Sequence, residues 1–149
     1  MSDNGEKHIE ISVELAHDLS EGEDDNLLVI NNGNHHHTFE KLRETHRAHT
    51  ITWTLTGNAS DGEFCALDEP DNPGFLWLVR TPSESIFRKP QLLGKNKLTI
   101  HNHHHDKTSE GVWHYQLFAR FGGKVCGVPL TFCCGGTRMT SPNPSIKNT

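Results

Sequence analysis

Basic charge and long apolar runs are both scarce in this chain. Its 14 Lys and Arg stand against 19 acidic residues, for a net charge of −5 with histidine neutral. A phosphate backbone needs a basic surface, so nucleic acid is set aside as the main partner. No stretch approaches the roughly 18 consecutive apolar residues of a membrane helix. The first seven residues lack the basic-then-apolar order of a secretory signal. The expectation is a soluble, cytoplasmic chain with no membrane partner. No segment of ten residues or more repeats its apolar positions at helical spacing. There is no G-x-S-x-G, P-loop or Rossmann glycine pattern, which leaves no catalytic motif to name. Paired carboxylates such as Asp68 and Glu69 sit among turn-formers, where loop solvation is the simpler role.

The four cysteines, Cys65, Cys126, Cys133 and Cys134, include no C-x-x-C pair, which removes zinc-ribbon and thioredoxin-like sites. Without an export signal, Cys65 and Cys126 read as reduced buried thiols. The adjacent Cys133 and Cys134 fit a strand end, with a vicinal disulfide or a soft metal ligand as the alternatives. A Cys–His nucleophilic centre is not readable from one sequence.

With 149 residues, the length suits one domain. Apolar residues alternate with polar ones at Ile9, Ile11, Val13 and Leu15, the period-2 signature of a half-buried strand. Ile51, Trp53 and Leu55 alternate with Thr50, Thr52, Thr54 and Thr56 in the same way. Residues 75–79, FLWLV, are apolar on both faces and suit a covered strand, with Trp77 in the core. Pro82 and Pro90 bracket an edge segment around Ile86 and Phe87, and Pro129 places the segment 124–132 at an edge or bulge. Leu98 and Ile100 alternate, as do Trp113, Tyr115, Leu117, Ala119 and Phe121, and the two runs read as a hairpin. Residues 37–46 read as irregular or a short helix, and the acidic residues 21–25 as a solvated loop. Short strands at this spacing predict an all-β chain, a single antiparallel β-sandwich of about seven or eight strands over residues 1–149. The stretches 1–7 and 135–149 read as irregular or flexible ends. The segment DKTSEGVWHYQL resembles the tyrosine corner of immunoglobulin-like sandwiches, in which the hydroxyl of Tyr115, the sole tyrosine, would meet a backbone partner. Leu117 stands where that corner usually carries a cysteine.

What the chain does have is twelve histidines. His101, His103 and His105 recur at period 2, so a continuing strand would project all three on one face, with His104 opposite. His35 and His37 repeat that spacing, and a helical turn would bring His46 and His49 together. Neutral imidazole binds zinc, copper, iron or nickel. One expectation is therefore a transition-metal site at one end of the sandwich, where the loop after Ile100 meets the loop after Ile30. The other is that these are loop histidines with no physiological ligand. Glu110 and Asp106 add possible oxygen ligands, Asp106 fitting a turn cap better. The spacing departs from a cupin, since six residues separate His103 from Glu110. It departs from a cupredoxin too, since no histidine follows Cys126, Cys133 or Cys134, although Met139 does.

The segments ITWTLTGNASDGEF, DEPDNPGFLW, LTIHNHHHDKTSEGVWHYQLFARFGGKV and NPSIKN together resemble a small bacterial family of uncharacterised role, labelled DP-EP. The resemblance spans most of the chain. It implies an immunoglobulin-like β-sandwich and no reaction or ligand. The Ile51 to Leu55 and Trp113 to Tyr115 stretches are loosely similar to inclusion-body proteins of enteric bacteria, which keeps self-assembly among the options, near the edge at Pro129. Two functions follow as expectations. One is a non-enzymatic module that binds a protein partner or forms a homo-oligomer. The other is a histidine-rich sandwich that stores a metal or uses it to activate a small molecule.

Overall fold

The computed structural model describes residues 6–18, 26–44, 46–129 and 143–149. The acidic run at 21–25, Cys133, Cys134 and Met139 lie outside them.

Among the described residues eleven strands form two sheets: β1 (His8–Leu15), β2 (Leu28–Ile30), β3 (His36–Phe39), β4 (His49–Leu55), β5 (Glu63–Phe64), β6 (Phe75–Leu78), β7 (Gln91–Leu92), β8 (Lys97–Asn102), β9 (Gly111–Phe121), β10 (Lys124–Gly127) and β11 (Ser145–Asn148). The first sheet runs β2-β1-β4-β8-β7. The second is built on β9, with β10 and then β11 along one flank, β5 and β6 along the other, and β3 outside β11. The all-β sandwich expected from the alternation is present, with two parallel pairings inside it. β1 runs parallel to β4, His8 opposite Thr50, and β3 runs parallel to β11, His36 opposite Ser145. Both sheets are thus mixed.

Period-2 alternation assigns the faces. In β1 and β4, Ile11, Val13, Leu15, Ile51, Trp53 and Leu55 turn inward and are buried, while Glu10, Ser12, Thr50 and Thr52 line the outer surface. In β9 the inward set is Trp113, Tyr115, Leu117, Ala119 and Phe121. The two inner faces meet through aromatic rings. Trp53 lies 5.1 Å from Tyr115 and 5.4 Å from Phe75, and Phe75 stacks on Tyr115 with a 10° interplanar angle. Trp77, Phe87 and Trp113 extend this cluster from β6 and β9 to the segment that follows β6. Burial of side chains this large, at about 1.5–3 kcal/mol each, supplies most of the favourable term.

Several expectations change. The runs at 98–100 and 113–121 do not form a hairpin: β8 pairs with β4 and β7, β9 belongs to the other sheet, and the histidine-bearing segment between them crosses from sheet to sheet. Residues 145–148, read as part of an irregular end, form a strand between β9 and β3. At the other end, Lys7 is held by main-chain bonds, its carbonyl accepting from Thr50 N–H at 2.8 Å. Tyr115 hydroxyl meets the indole N–H of Trp53 at 3.1 Å, so its partner is a side chain of the opposite sheet instead of the backbone group a tyrosine corner would use. Residues 75–79 are covered on one face only, because Leu76 points out at 41% exposure and Val79 at 95%.

Candidate functional site

Because β4 begins at His49, that residue continues the inward set Ile51, Trp53 and Leu55 and is 2% exposed. Its Nδ1 accepts the Lys7 main-chain N–H at 3.0 Å, and its Nε2 donates to the Glu40 carbonyl at 2.8 Å. This pair of bonds fixes the neutral Nε2–H tautomer. Burial pushes its pKa down, offset by the Glu40 carbonyl. Both ring nitrogens are occupied, which removes His49 from the metal set. His46 stands in a turn outside any helix, with Nε2 3.7 Å from the Glu44 carboxylate. The helical i, i+3 pairing of His46 with His49 does not form.

β8 ends at Asn102, and with it the alternation that would project His101, His103 and His105 together. His101 is exposed on the outer face, Nδ1 3.3 Å from the Thr50 hydroxyl. His103 and His105 are half-buried in the crossover, ring centroids 5.9 Å apart, and His105 Nε2 donates to the Arg47 carbonyl at 2.6 Å. Burial, then Arg88 nearby, lowers the pKa of His103. His104, which sequence reasoning left outside the site, is wholly buried. Its Nδ1 meets Ser109 hydroxyl at 2.7 Å and its Nε2 donates to the Thr149 main-chain oxygen at 2.7 Å. Burial lowers its pKa, the Thr149 oxygen opposing. Asn102 and Asn148 exchange amide bonds of 2.8 and 3.1 Å beside it, and Asn148 also donates to the Ser109 carbonyl. Asp106 caps the 3-10 turn at Lys107–Ser109 through Thr108 N–H, as expected of a turn residue. Glu110 pairs with Lys41, which holds its carboxyl below the usual range. This end of the molecule is a polar clamp that fastens β11 to the crossover.

The crossover meets the segment after β3, where Leu42 N–H bonds to the His104 carbonyl, and not the loop after Ile30. His35 and His37 therefore form a separate group. The ring of His35 packs at 4.6 Å on His36, whose Nδ1 bonds the Ser145 hydroxyl at 2.6 Å. The Nδ1 atoms of His35 and His37 are buried without hydrogen-bond partners among the described residues, and burial, followed by the charge of His36, lowers both pKa values. His35 also borders a cavity of about 260 Å³ lined by Leu28, Val29, Ile30, Val128 and Pro129. Among the described residues no three His, Cys, Asp or Glu side chains are grouped as a metal site. The thiols of Cys65 and Cys126 are buried and free, and burial raises their pKa values, the reverse of what a reactive thiolate needs.

The second candidate is a surface. Leu76, Leu78, Val112 and His114 share the outer face of the second sheet, Leu78 opposite His114, and Leu76 and Val112 are exposed. Directly after β6, Val79 has φ +68°, and Arg80 N–H bonds back to the Leu78 carbonyl at 2.7 Å across it. A β-branched residue in the left-handed region is strained, and such γ-turns are rare. The strain holds an apolar side chain in solvent. Arg80 lies over the Trp113 ring at 4.9 Å and donates to the Val112 carbonyl, bordering the patch. The signal in the sequence was the unbroken apolar run at 75–79, read there as coverage from both sides.

Comparison of the chain with protein families, with curated proteins and with solved structures finds no match in any of the three.

Proposed function

We propose that this chain is a non-enzymatic β-sandwich module, immunoglobulin-like in kind, that acts by contact with protein, either a partner chain or another copy of itself. The observation that carries this reading is the exposure of Leu76, Val79 and Val112 along β6, β9 and the strained turn that follows β6. Clustered exposed apolar groups on a folded domain mark interaction surfaces more often than scattered ones do. The histidines support the same reading, since His49, His104 and His105 spend ring nitrogens on main-chain oxygens that hold the fold together.

The test uses Lys147, which lies opposite Val112 on the same outer face. Amine-directed cross-linking in the chain's own cells, mapped by mass spectrometry, is expected to join Lys147 to a second polypeptide. Cross-links confined to Lys97 and other amines of the first sheet, together with a monomeric mass at every concentration, would overturn the reading.

A further inference from the structure

We infer that the open edge of β6 is a self-association site, at which Phe75–Leu78 pairs antiparallel with the same strand of a second copy. This rests on the contact reading above and names its surface and its partner.

The register fixes which main-chain groups are available. Leu76 stands opposite Gln116 and Leu78 opposite His114, and the Gly74 carbonyl accepts from Phe118 N–H. Gly74, Leu76 and Leu78 therefore aim their main-chain groups at β9, while Phe75 and Trp77 aim theirs away from it. Among the described residues β6 pairs with β9 alone. No described residue bonds the main-chain N–H or C=O of Phe75 or Trp77. Edge strands of monomeric proteins are normally blunted by a lysine, a proline or an inward charge. FLWLV has none of these.

The choice of occupant follows from symmetry and charge. A twofold interface brings each group against its own mirror in sequence, so the patch must complement itself. Centred on Trp77, an antiparallel pair sets the Trp77 main-chain groups of the two copies against each other and Leu76 against Leu78, with no charge inside the ladder. Outside the ladder the charges differ in sign. Asp68 and Asp71 precede β6 and Arg80 follows it, and none of the three makes an ion pair among the described residues. Antiparallel pairing carries each Arg80 toward the acidic turn of the other copy, and the two crossed pairs select this orientation over the parallel one. The exposed Val79 and Leu76 side chains then flank the joined edges, which accounts for their place in solvent in a single copy.

The experiment is sedimentation velocity on the full chain over a wide concentration series, with Leu76→Lys, Val79→Asp, Asp71→Arg, Arg80→Asp and the double charge swap Asp71→Arg with Arg80→Asp. The wild-type chain is expected to shift from one copy to two as concentration rises. Leu76→Lys and Val79→Asp should each raise the dissociation constant about tenfold or more. Either single charge reversal should weaken the dimer, and the double swap should restore it. Thermal unfolding of each variant at low concentration reports whether the single copy still folds, and Leu76→Lys, Val79→Asp and Asp71→Arg, which leave the contacts of Arg80 with Trp113 and Val112 in place, carry the test if Arg80→Asp does not fold. A dimer unmoved by Leu76→Lys and Val79→Asp would overturn this surface while leaving the contact reading intact. A chain that stays single while Lys147 cross-links to a different protein would overturn self-pairing alone. A single copy at all concentrations with no Lys147 cross-link would overturn both.

Discussion

The indole N–H of Trp53 donates to the hydroxyl of Tyr115 across the middle of the sandwich at 3.1 Å, and neither side chain is exposed to solvent. This is a side-chain hydrogen bond from one inner face to the other, set among the stacked rings of Phe75, Tyr115 and Trp53. Burial pushes the phenol far above its ordinary range, the indole partly opposing, so Tyr115 is neutral at neutral pH.

The expected outcome of Tyr115→Phe follows from that bond. The ring volume is nearly kept, but a buried donor loses its acceptor, at a cost of about 1–3 kcal/mol. Urea unfolding of Tyr115→Phe, Trp53→Phe and the double variant would measure it. The second replacement should cost less in the presence of the first, and fully additive losses would show that the pair is not coupled.

Gly74 offers a purely steric prediction. A Cβ there would lie 2.3 Å from the Cys65 carbonyl oxygen, a backbone atom that cannot swing aside. Gly74→Ala should therefore destabilise by about 1–3 kcal/mol, by forcing the start of β6 away from the Cys65 segment. Gly123 is the control, since nothing lies within 4 Å of its added Cβ. Gly123→Ala should stay within about 0.5 kcal/mol of the parent. Equal unfolding midpoints for the two variants would contradict the close packing at Gly74.

The legible parts of the sequence are those where one side chain in two is apolar. β1, β4 and β9 announce themselves because burial on one face writes period 2 directly into the chain, and Trp53, Trp113 and Tyr115 follow as core. β3 and β11 carry only Phe39 and Ile146 as large buried apolar residues, and their strand character comes from pairing with each other and with β9, which no local pattern encodes. Strand direction is equally silent, so the parallel pairs went unseen. The histidine spacing is a weaker guide to geometry for a physical reason. Spacing says which side chains share a face only while the strand lasts, and β8 stops at Asn102. By the same logic His49 was within reach, since it lies two residues before Ile51 in an unbroken inward series.

The metal alternative has a direct check. His49 and His104 have both ring nitrogens engaged, and Nδ1 of His36 and Nε2 of His105 are bonded to oxygen. Elemental analysis of untagged protein, purified without a metal-affinity column, is therefore expected to find well under one equivalent of zinc, copper, nickel or iron. A stoichiometric metal that disappears in His101→Ala with His103→Ala would reverse this and install those two imidazoles as ligands.

Acid should loosen the clamp around β11. His49 and His104 are buried in neutral form, desolvation holding their folded-state pKa values below the ordinary 6.5. Protonation would put a second hydrogen on His49 Nδ1, which now accepts the Lys7 N–H, and on His104 Nδ1 facing Ser109. The unfolded chain binds these protons first. Stability is therefore at full strength above about pH 6.5 and falls as the pH drops from there toward the lower folded-state values, each group contributing at most about 1.4 kcal/mol per pH unit. Lys7 and Glu6 oppose each other around His49, as Lys41 and Glu110 do around His104, so the slope is set mainly by burial. Asp106 and Glu110 have pKa values lowered by Thr108 and Lys41 and stay ionised through this window. Urea unfolding from pH 7.5 to 5 would trace the slope, and His104→Gln, which keeps a donor and an acceptor but cannot titrate, should flatten it by the share of one proton. A wild-type slope that is already flat, or one that His104→Gln leaves unchanged, would mean that the buried imidazoles do not couple folding to pH.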